Sequence, residues 1–442
     1  MSSTPESPAR GLVVDKRQPR LRATAHARLT AANWAGSVAA RAARLARRGS
    51  GHSIRGQVML RLDPAALPKL MANKRVALVS GTNGKTTTTH LLSAAVRASL
   101  GQNARRLVHN DDGASRPEGI AAALSASPGA DIAILDTDER VVADLIRLGR
   151  PEVVVLLNVS GDQTHRQPDT TALGGSWRHA LAAAGSEGPV VVANADDPLV
   201  VWAVQTAKRV VWVKTATAWT PDASICPGCG ATLLCGPPGQ TGGSGRNWHC
   251  SGCELAEPTS DYAVQDGKII DAQRQVWNPK LSVPGVFNVS NAACALAAAE
   301  LMGVHPGTAF VGMRKVTAPA GRFATVHFGE TTARLMLAKN PTGWAAVLPV
   351  AHTPTVILAV DCAAADSPDV SWLWDVDFDM LAGRTIIATG PRAQDLAVRL
   401  SHAGVDYRCI PDLAAAVAGH REPVDVIASR TPFQRLRRMA AV

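Results

Sequence analysis

Gly81-Thr82-Asn83-Gly84-Lys85-Thr86-Thr87 follows the apolar run Arg75–Ser80 and opens a helical pattern, His90–Leu100. A strand, a glycine-containing turn and Lys-Thr at a helix start are the parts of a phosphate cradle. Backbone N–H groups of the loop and helix N-terminus meet the phosphates, Lys85 reaches the β/γ oxygens, and the Thr86 hydroxyl can hold Mg²⁺. The spacing Gly-x-x-Gly-Lys-Thr is two residues shorter than the usual Walker loop. The flanking strand and helix therefore carry the assignment against an ordinary strand-to-helix turn. A second constellation is Cys226-Pro-Gly-Cys229 with Cys250-Ser-Gly-Cys253. Each Cys-x-x-Cys turn aims two thiolates at one point, and four make a closed tetrahedral zinc site with no open position for chemistry. Gly228, Gly230 and Gly252 suit that tight geometry, and Cys235 is spare. The insertion either only stabilises its domain or offers a docking surface.

Polar clusters stand at strand ends: Asp136-Thr-Asp-Glu139, Asn158-Val-Ser-Gly-Asp162-Gln-Thr-His165 and Asn194-Ala-Asp196-Asp197-Pro. Each alone could cap a helix. Three beside a phosphate loop are expected to form a catalytic rim with carboxylates for Mg²⁺. A long acidic segment, residues 361–377, carries five Asp and two Trp, and is expected to be a ligand or partner site rather than an exposed turn.

The elements that must position these groups follow from the apolar pattern. Continuous apolar runs at Ile132–Leu135, Val153–Leu157, Val190–Ala193 and Val210–Val213 alternate with helical patterns at Val141–Leu148, Ala172–Ala184 and Leu199–Ala207. Such runs predict a parallel sheet buried on both faces, with ligands beyond the strand C-terminal ends. Asn288 and Asn291 precede an Ala-rich helix, Ala292–Met302, which Asn291 can cap. A second α/β unit follows with strands at Ala333–Leu337, Thr355–Val360, Thr385–Ala388, Tyr407–Ile410 and Val424–Ala428. The expected architecture is an α/β chain: a disordered basic tail over residues 1–30, a central phosphate-loop domain over 31–318 with a four-Cys insertion at about 222–257, and a C-terminal α/β domain over 319–442.

The 442 residues are too many for one core, and 46% hydrophobic with 19% charged residues fits a folded protein. The net charge of +10 is concentrated in residues 1–55, which hold +9, so a protein-wide nucleic-acid surface is unsupported. The helix expected over Ala31–Arg48 ends in Arg41, Arg44, Arg47 and Arg48. These suit the helix dipole; the sharper reading is a helix lying on an anionic lipid surface. No spanning segment and no signal peptide are evident, which predicts a cytoplasmic protein, with contact at the inner face of the membrane left open.

Gly81–Thr87, Asn194-Ala-Asp-Asp, Pro284-Gly-Val-Phe-Asn288-Val-Ser-Asn291 and Gly321-Arg322-Phe323 together resemble the Mur ligase superfamily, enzymes that join carboxylates to amines with ATP. The four-Cys insertion, Leu337-Ala-Lys339-Asn-Pro-Thr-Gly343 and Asp366-x-x-Asp369-Val-Ser-Trp-Leu-Trp-Asp375 look like its MurT branch, the Mur-ligase-like subunits of glutamine-hydrolysing lipid II isoglutaminyl synthases. The resemblance implies a Mur-ligase-like central domain, ATP, Mg²⁺ and Zn²⁺. It also implies a GatD-like glutaminase partner and amidation of the α-carboxylate of D-glutamate in the lipid II stem peptide through an acyl phosphate. It assigns Lys85 and Thr86 to phosphate and metal, and Asp136 to the position of a Mg²⁺-binding Glu. Asn288, Asn291, Arg322 and Lys339 would contact the nucleotide. One of Asp366, Asp369 and Asp375 would serve the partner's Cys/His pair. This sequence departs from the pattern in three places. Asp136 is shorter than Glu; Gly161–Gln167 lacks the first Arg and the second Asp of the family stretch; and no Lys lies between Lys85 and Lys208. The missing Lys argues against an ordinary amino-acid-adding ligase. That activity, and a non-catalytic ATP-binding scaffold for the glutaminase, are the alternative readings.

Overall fold

The computed structural model describes residues 23–45, 52–110, 114–159, 170–215, 225–235, 248–317, 323–361 and 369–440. It opens with helices α1 (Ala23–Leu45), α2 (His52–Leu62) and α3 (Ala66–Met71). An alternating run follows: β1 (Arg75–Ser80), α4 (Lys85–Leu100), β2 (Leu107–His109), α5 (Pro117–Ala126), β3 (Ile132–Asp136), α6 (Val142–Gly149), β4 (Val153–Leu156), α7 (Thr170–Ala184), β5 (Val190–Asn194), α8 (Pro198–Val204) and β6 (Val210–Lys214). Next come β7 (Leu233–Cys235), β8 (Trp248–Cys250), β9 (Tyr262–Gln265), β10 (Lys268–Ile270), β11 (Val276–Trp277), α9 (Val286–Leu301) and α10 (Pro306–Met313). The C-terminal unit runs β12 (Phe323–Phe328), β13 (Thr331–Leu337), α11 (Pro341–Val347), β14 (Thr355–Ala359), β15 (Thr385–Thr389), α12 (Ala393–His402), β16 (Tyr407–Cys409), α13 (Leu413–Val417), β17 (Val424–Ala428) and α14 (Arg430–Met439).

The first sheet has the order β11-β10-β9-β6-β5-β4-β1-β3-β2. Its strands β1 to β6 are parallel, and β9 joins β6 in parallel before two antiparallel pairings close that edge. The apolar runs of β1, β3, β4 and β5 are buried on both faces, as their lack of alternation predicts, whereas β6 is half-buried apart from Val213. One face packs Ala77, Val79, Ile134 and Val155 on α4, α9 and α10, and the other packs Leu78, Leu135, Val154 and Leu156 on α5, α6, α7 and α8. β1 lies between β3 and β4, so the chain leaves it in both directions across the sheet. The loop after β1 therefore opens at the switch point, where ligands of such sheets bind. The second sheet, β12-β13-β17-β14-β15-β16, is parallel except for the β12–β13 hairpin.

Three sequence expectations change. The first helix begins at Ala23, so residues 23–30 belong to α1 and not to a disordered tail. Leu29 packs against the core and Arg28 Nε donates to the Leu62 carbonyl at 2.9 Å, contacts that composition cannot reveal. The remainder of that tail, residues 1–22, lies outside the described residues. Helix α9 begins at Val286, not Ala292, with Gly285 at its N-cap (φ 96°). Asn288 and Asn291 thus stand inside its first turns, three residues apart on one face, instead of capping it. Finally, β2 and the β9–β11 edge are too short to register as apolar runs.

Candidate functional site

The phosphate loop is built by backbone geometry first. Gly81 and Gly84 take φ of 142° and 86°, and the Thr88 amide closes α4 onto the Gly84 carbonyl at 2.9 Å. A Cβ on Gly84 would also lie 2.4 Å from Asn291 Oδ1, so both the backbone and the approach of α9 require glycine there. Asn158, just past β4, braces the loop. Its carbonyl accepts from Thr82 N at 2.9 Å, its Oδ1 from Asn83 N at 2.9 Å, and its Nδ2 donates to the Asn83 carbonyl at 3.0 Å. In the sequence Asn158 belongs to a polar cluster with no sign of this role, because only the adjacency of β1 and β4 reveals it.

Lys85 Nζ donates to the Gly81 carbonyl at 2.5 Å and pairs with Glu139 Oε1 at 3.1 Å, the two side chains being 15% and 18% exposed. Thr86 Oγ1 donates to Asp136 Oδ2 at 2.6 Å. Asp136 is buried, and its other oxygen, Oδ1, has no hydrogen-bond partner among the described residues. A buried carboxylate oxygen without a donor is costly unless a cation meets it. The Asp136–Thr86 pair beside Lys85 therefore fits the hard, oxygen-bound Mg²⁺ of a nucleotide complex. Asn110 fixes the strand end, accepting from Asp136 N and donating to its carbonyl, each at 2.8 Å.

Asn288 is buried, donates to the Pro284 carbonyl and accepts from Asn291 Nδ2 at 3.2 Å, while Asn291 presses on Gly84. From the C-terminal unit, Asn340 caps α11 through the Gly343 amide at 2.8 Å and reaches Asn83 Oδ1 at 3.4 Å. The turn expected to close over the nucleotide thus touches the loop through Asn340, whereas Lys339 is exposed. Arg322 and Asp366 lie outside the described residues, as do residues 160–169. Asp369 accepts from the amide and hydroxyl of Ser371, at 2.8 and 2.7 Å, and Asp375 is exposed. Both sit on the segment after β14. Trp374 on that segment is 54% exposed, with the Arg399 guanidinium 5.6 Å from its ring centroid. Trp372 instead packs against buried Trp344.

The third acidic cluster is structural. Asp197 caps α8 through Leu199 N and Val200 N and accepts from Val159 N at 2.8 Å. Asp196 Oδ2 accepts from the amide and hydroxyl of Thr215, both at 2.7 Å. Of the expected rim, the described residues bring Asp136–Glu139 and Asn158 to the loop; Asp196 and Asp197 serve Thr215 and the start of α8, and residues 160–165 lie outside the described residues. Burial pushes the Asp196 carboxyl up to about 7. The folded state then holds the proton more tightly than the unfolded chain, so stability from this group is present at low pH and falls as pH rises toward 7. Asn keeps an acceptor for Thr215 without the charge. Asp196→Asn is expected to raise Tm at pH 8 by roughly 2–4 °C and to change it less at pH 5; an equal change at both pH values in a thermal melt would contradict this.

Cys226, Cys229, Cys250 and Cys253 form one cluster, their sulfurs all within 4.8 Å of one another. Cys226–Cys253 and Cys229–Cys250 sulfurs are 3.6 and 3.4 Å apart. Zinc–sulfur bonds of about 2.3 Å place tetrahedral sulfurs about 3.8 Å apart, so the quartet fits zinc with little movement. Gly228 N and Gly252 N point at Cys226 and Cys250 sulfurs at 3.4 and 3.3 Å, which favours thiolates. Leu233, Trp248 and Leu255 seat the insertion on Val201 and Trp202 of α8, and Trp248 Nε1 donates to the Ala195 carbonyl at 3.2 Å. The Gly/Pro-rich stretch within it lies outside the described residues.

Residues 79–220 match the Mur ligase middle domain family, and residues 337–429 match the MurT ligase C-terminal family. The lipid II isoglutaminyl synthase (glutamine-hydrolyzing) subunit MurT of Staphylococcus aureus is 27% identical over 398 residues, covering 83% of this chain and 88% of that one. The subunit of the same name from Streptococcus pneumoniae is 27% identical over 81% of this chain and 84% of its own. In fold, the chain is similar to a pseudomurein peptide ligase type C from Methanothermus fervidus, with a TM-score of 0.60, 18% identity and coverage of 83% and 78%. It is also similar to a folylpolyglutamate synthase of Mycobacterium tuberculosis complexed with ADP, with a TM-score of 0.55, 16% identity and coverage of 84% and 92%. A Mur-type middle domain and a MurT-type C-terminal domain thus match within one chain, and MurT subunits at 27% identity are its relatives along most of its length.

Proposed function

We propose that this chain is the synthetase subunit of an ATP-dependent amide ligase acting on lipid II, converting the α-carboxylate of the stem-peptide D-glutamate to the amide. The observation that carries the reading is the Thr86–Asp136 pair with its buried oxygen unpartnered among the described residues, held beside Lys85 in a chain that also bears a MurT-type C-terminal domain. The central domain over residues 31–318 would bind ATP and the domain over 319–442 would close on it. The S. aureus and S. pneumoniae relatives are named as subunits of glutamine-hydrolysing synthases, which supports a separate glutaminase as the ammonia source.

The chemistry follows from the electrophile. A carboxylate resists attack by ammonia because its leaving group would be oxide. Transfer of the γ-phosphoryl group to a carboxylate oxygen releases ADP and gives an acyl phosphate. Ammonia nitrogen then attacks the carbonyl carbon, loses a proton, and inorganic phosphate departs with the C–O electron pair. Lys85 would shift from the Gly81 carbonyl and Glu139 to the phosphate oxygens, and loop amides braced by Asn158 would orient them. Thr86 and Asp136 would hold Mg²⁺, which when bound supplies positive charge against the phosphates. Asn288 and Asn291 fix the loop's far wall, and Asn340 links loop movement to the C-terminal unit. The exposed Trp374–Asp375 segment is the proposed contact for the glutaminase, where Asp366, Asp369 or Asp375 would serve its active site.

Asp136→Asn keeps the shape but removes the charge. It is expected to raise the Mg²⁺ concentration for half-maximal activity by about 10–100-fold, measured as ADP release at saturating ATP; an unchanged Mg²⁺ dependence would remove Asp136 from the metal shell. The reading itself is tested by supply of nitrogen. Purified chain with glutamine alone should leave lipid II unchanged, whereas ammonium, or glutamine plus the glutaminase, should give amide; a requirement for an added amino acid would favour an amino-acid-adding ligase.

A further inference from the structure

Helix α1 buries one face, and among the described residues nothing covers the other. Ala32, Ala40 and Ala43 are buried on α2, and a Cβ at Gly36 would come within 2.7 Å of the Arg55 carbonyl, so the two helices meet backbone to backbone. Arg55 ties them, donating to Asn33 Oδ1 at 2.7 Å and to the Ser125 carbonyl at 3.1 Å. On the opposite face Trp34, Val38, Arg41 and Leu45 recur at helical spacing. Trp34 is 71%, Val38 45% and Leu45 86% exposed, and Arg41 is exposed between them. Residues 16–62 contain eleven Lys and Arg and no acidic residue.

We infer that the outer face of α1 is a docking surface for an anionic phospholipid bilayer, with the helix lying in the plane of the headgroups. A Trp and two aliphatic side chains on one stripe gain by entering the acyl boundary, and arginines gain from anionic headgroups. Among the described residues no helix is long and apolar enough to cross a membrane, so the helix lies on the surface and does not span it. Nucleic acid would satisfy the arginines but offers nothing to an exposed Val38–Leu45 stripe. The inference deepens the proposed lipid-linked substrate by naming the surface that brings the chain to it, yet it stands on the helix alone.

The test uses the full chain in vesicle flotation. Binding is expected to phosphatidylcholine vesicles containing phosphatidylglycerol, weakening with salt, and not to phosphatidylcholine alone. Trp34→Ser/Val38→Ser/Leu45→Ser should lower the partition coefficient at least about tenfold, and Arg41→Glu should lower it several-fold, with ATP-dependent turnover of a water-soluble substrate unchanged. Triple-variant binding equal to the parent's, equal binding to neutral vesicles, displacement by RNA at lower charge concentration than the lipid, or loss of self-association in the variant without loss of lipid binding would each overturn it. Absent vesicle binding with amidation intact overturns this inference alone; absent amidation with vesicle binding intact overturns only the enzymatic reading.

Discussion

Lys85→Ala is expected to reduce ATP-dependent amidation at least about 10²–10³-fold, the scale of removing one charge-stabilising group from a preorganised site, while leaving a folded protein. Its ammonium is the cation held inside the loop, between the Gly81 carbonyl and Glu139. Without it, charge developing on the transferring phosphoryl group would meet only the backbone amides and the Mg²⁺ proposed at Thr86 and Asp136. The fold does not depend on the contact: the loop is fixed by Asn158 and by the α4 N-terminus, neither of which uses Lys85. Arg should not rescue, because the acceptors here surround a compact ammonium and not a planar fork. The check is amide formation with ammonium at saturating ATP, alongside a thermal melt. Wild-type amidation in the folded variant would detach the loop from the reaction.

The second large effect is on stability. Cys226→Ser should yield protein without bound zinc and with an early unfolding transition. Structural zinc contributes about 10–16 kcal/mol in isolated zinc-finger peptides. Even a quarter of that, at about 2–4 °C per kcal/mol, lowers the Tm by roughly 5–15 °C. The loss spreads beyond the knuckle because Trp248 reaches the carbonyl of Ala195, next to Asp196, which holds Thr215, and Asp197, which caps the start of α8. Cys409→Ser, at an exposed thiol, is the control and should change neither metal content nor Tm. Zinc analysis and calorimetry on the two variants decide it; metal-free parent protein with the Tm of the zinc-loaded form would contradict a structural site.

Much of the fold and of the loop is legible in the chain itself because the informative residues are locally determined. Gly81–Thr86 encodes its own turn, and each Cys-x-x-Cys pair needs only its own knuckle. The apolar runs at β1, β3, β4 and β5 declare a doubly covered sheet because no alternation survives burial on both faces. What is not legible depends on which strands and helices become neighbours. Asn158 braces the loop because β4 pairs with β1. Asn291 meets Gly84 because α9 crosses the sheet there, and Asn340 reaches Asn83 across 257 residues of chain. Asp196 and Asp197 carry the composition of a metal site, but Thr215 and the start of α8 claim their oxygens first. The stripe of Trp34, Val38 and Leu45 is readable only once burial shows which face of α1 is taken.

Asp136 stands where the resemblance implies a longer Glu, and no lysine lies between Lys85 and Lys208. The structure meets the first departure by drawing Asp136 onto the Thr86 hydroxyl while leaving one carboxylate oxygen for a cation. The second departure sets the chain apart, by the resemblance, from an ordinary amino-acid-adding ligase, and under the proposed function it would leave the burden of charge to Lys85, Thr86 and Asp136. That this reduced set still activates a carboxylate is the central claim. Its most direct test is mass spectrometry of lipid II incubated with the purified chain, ATP, Mg²⁺ and ammonium. The expected product has one stem-peptide carboxyl OH replaced by NH₂, located on D-glutamate, with ADP and phosphate formed in step. Lipid II of unchanged mass at saturating substrates would contradict it.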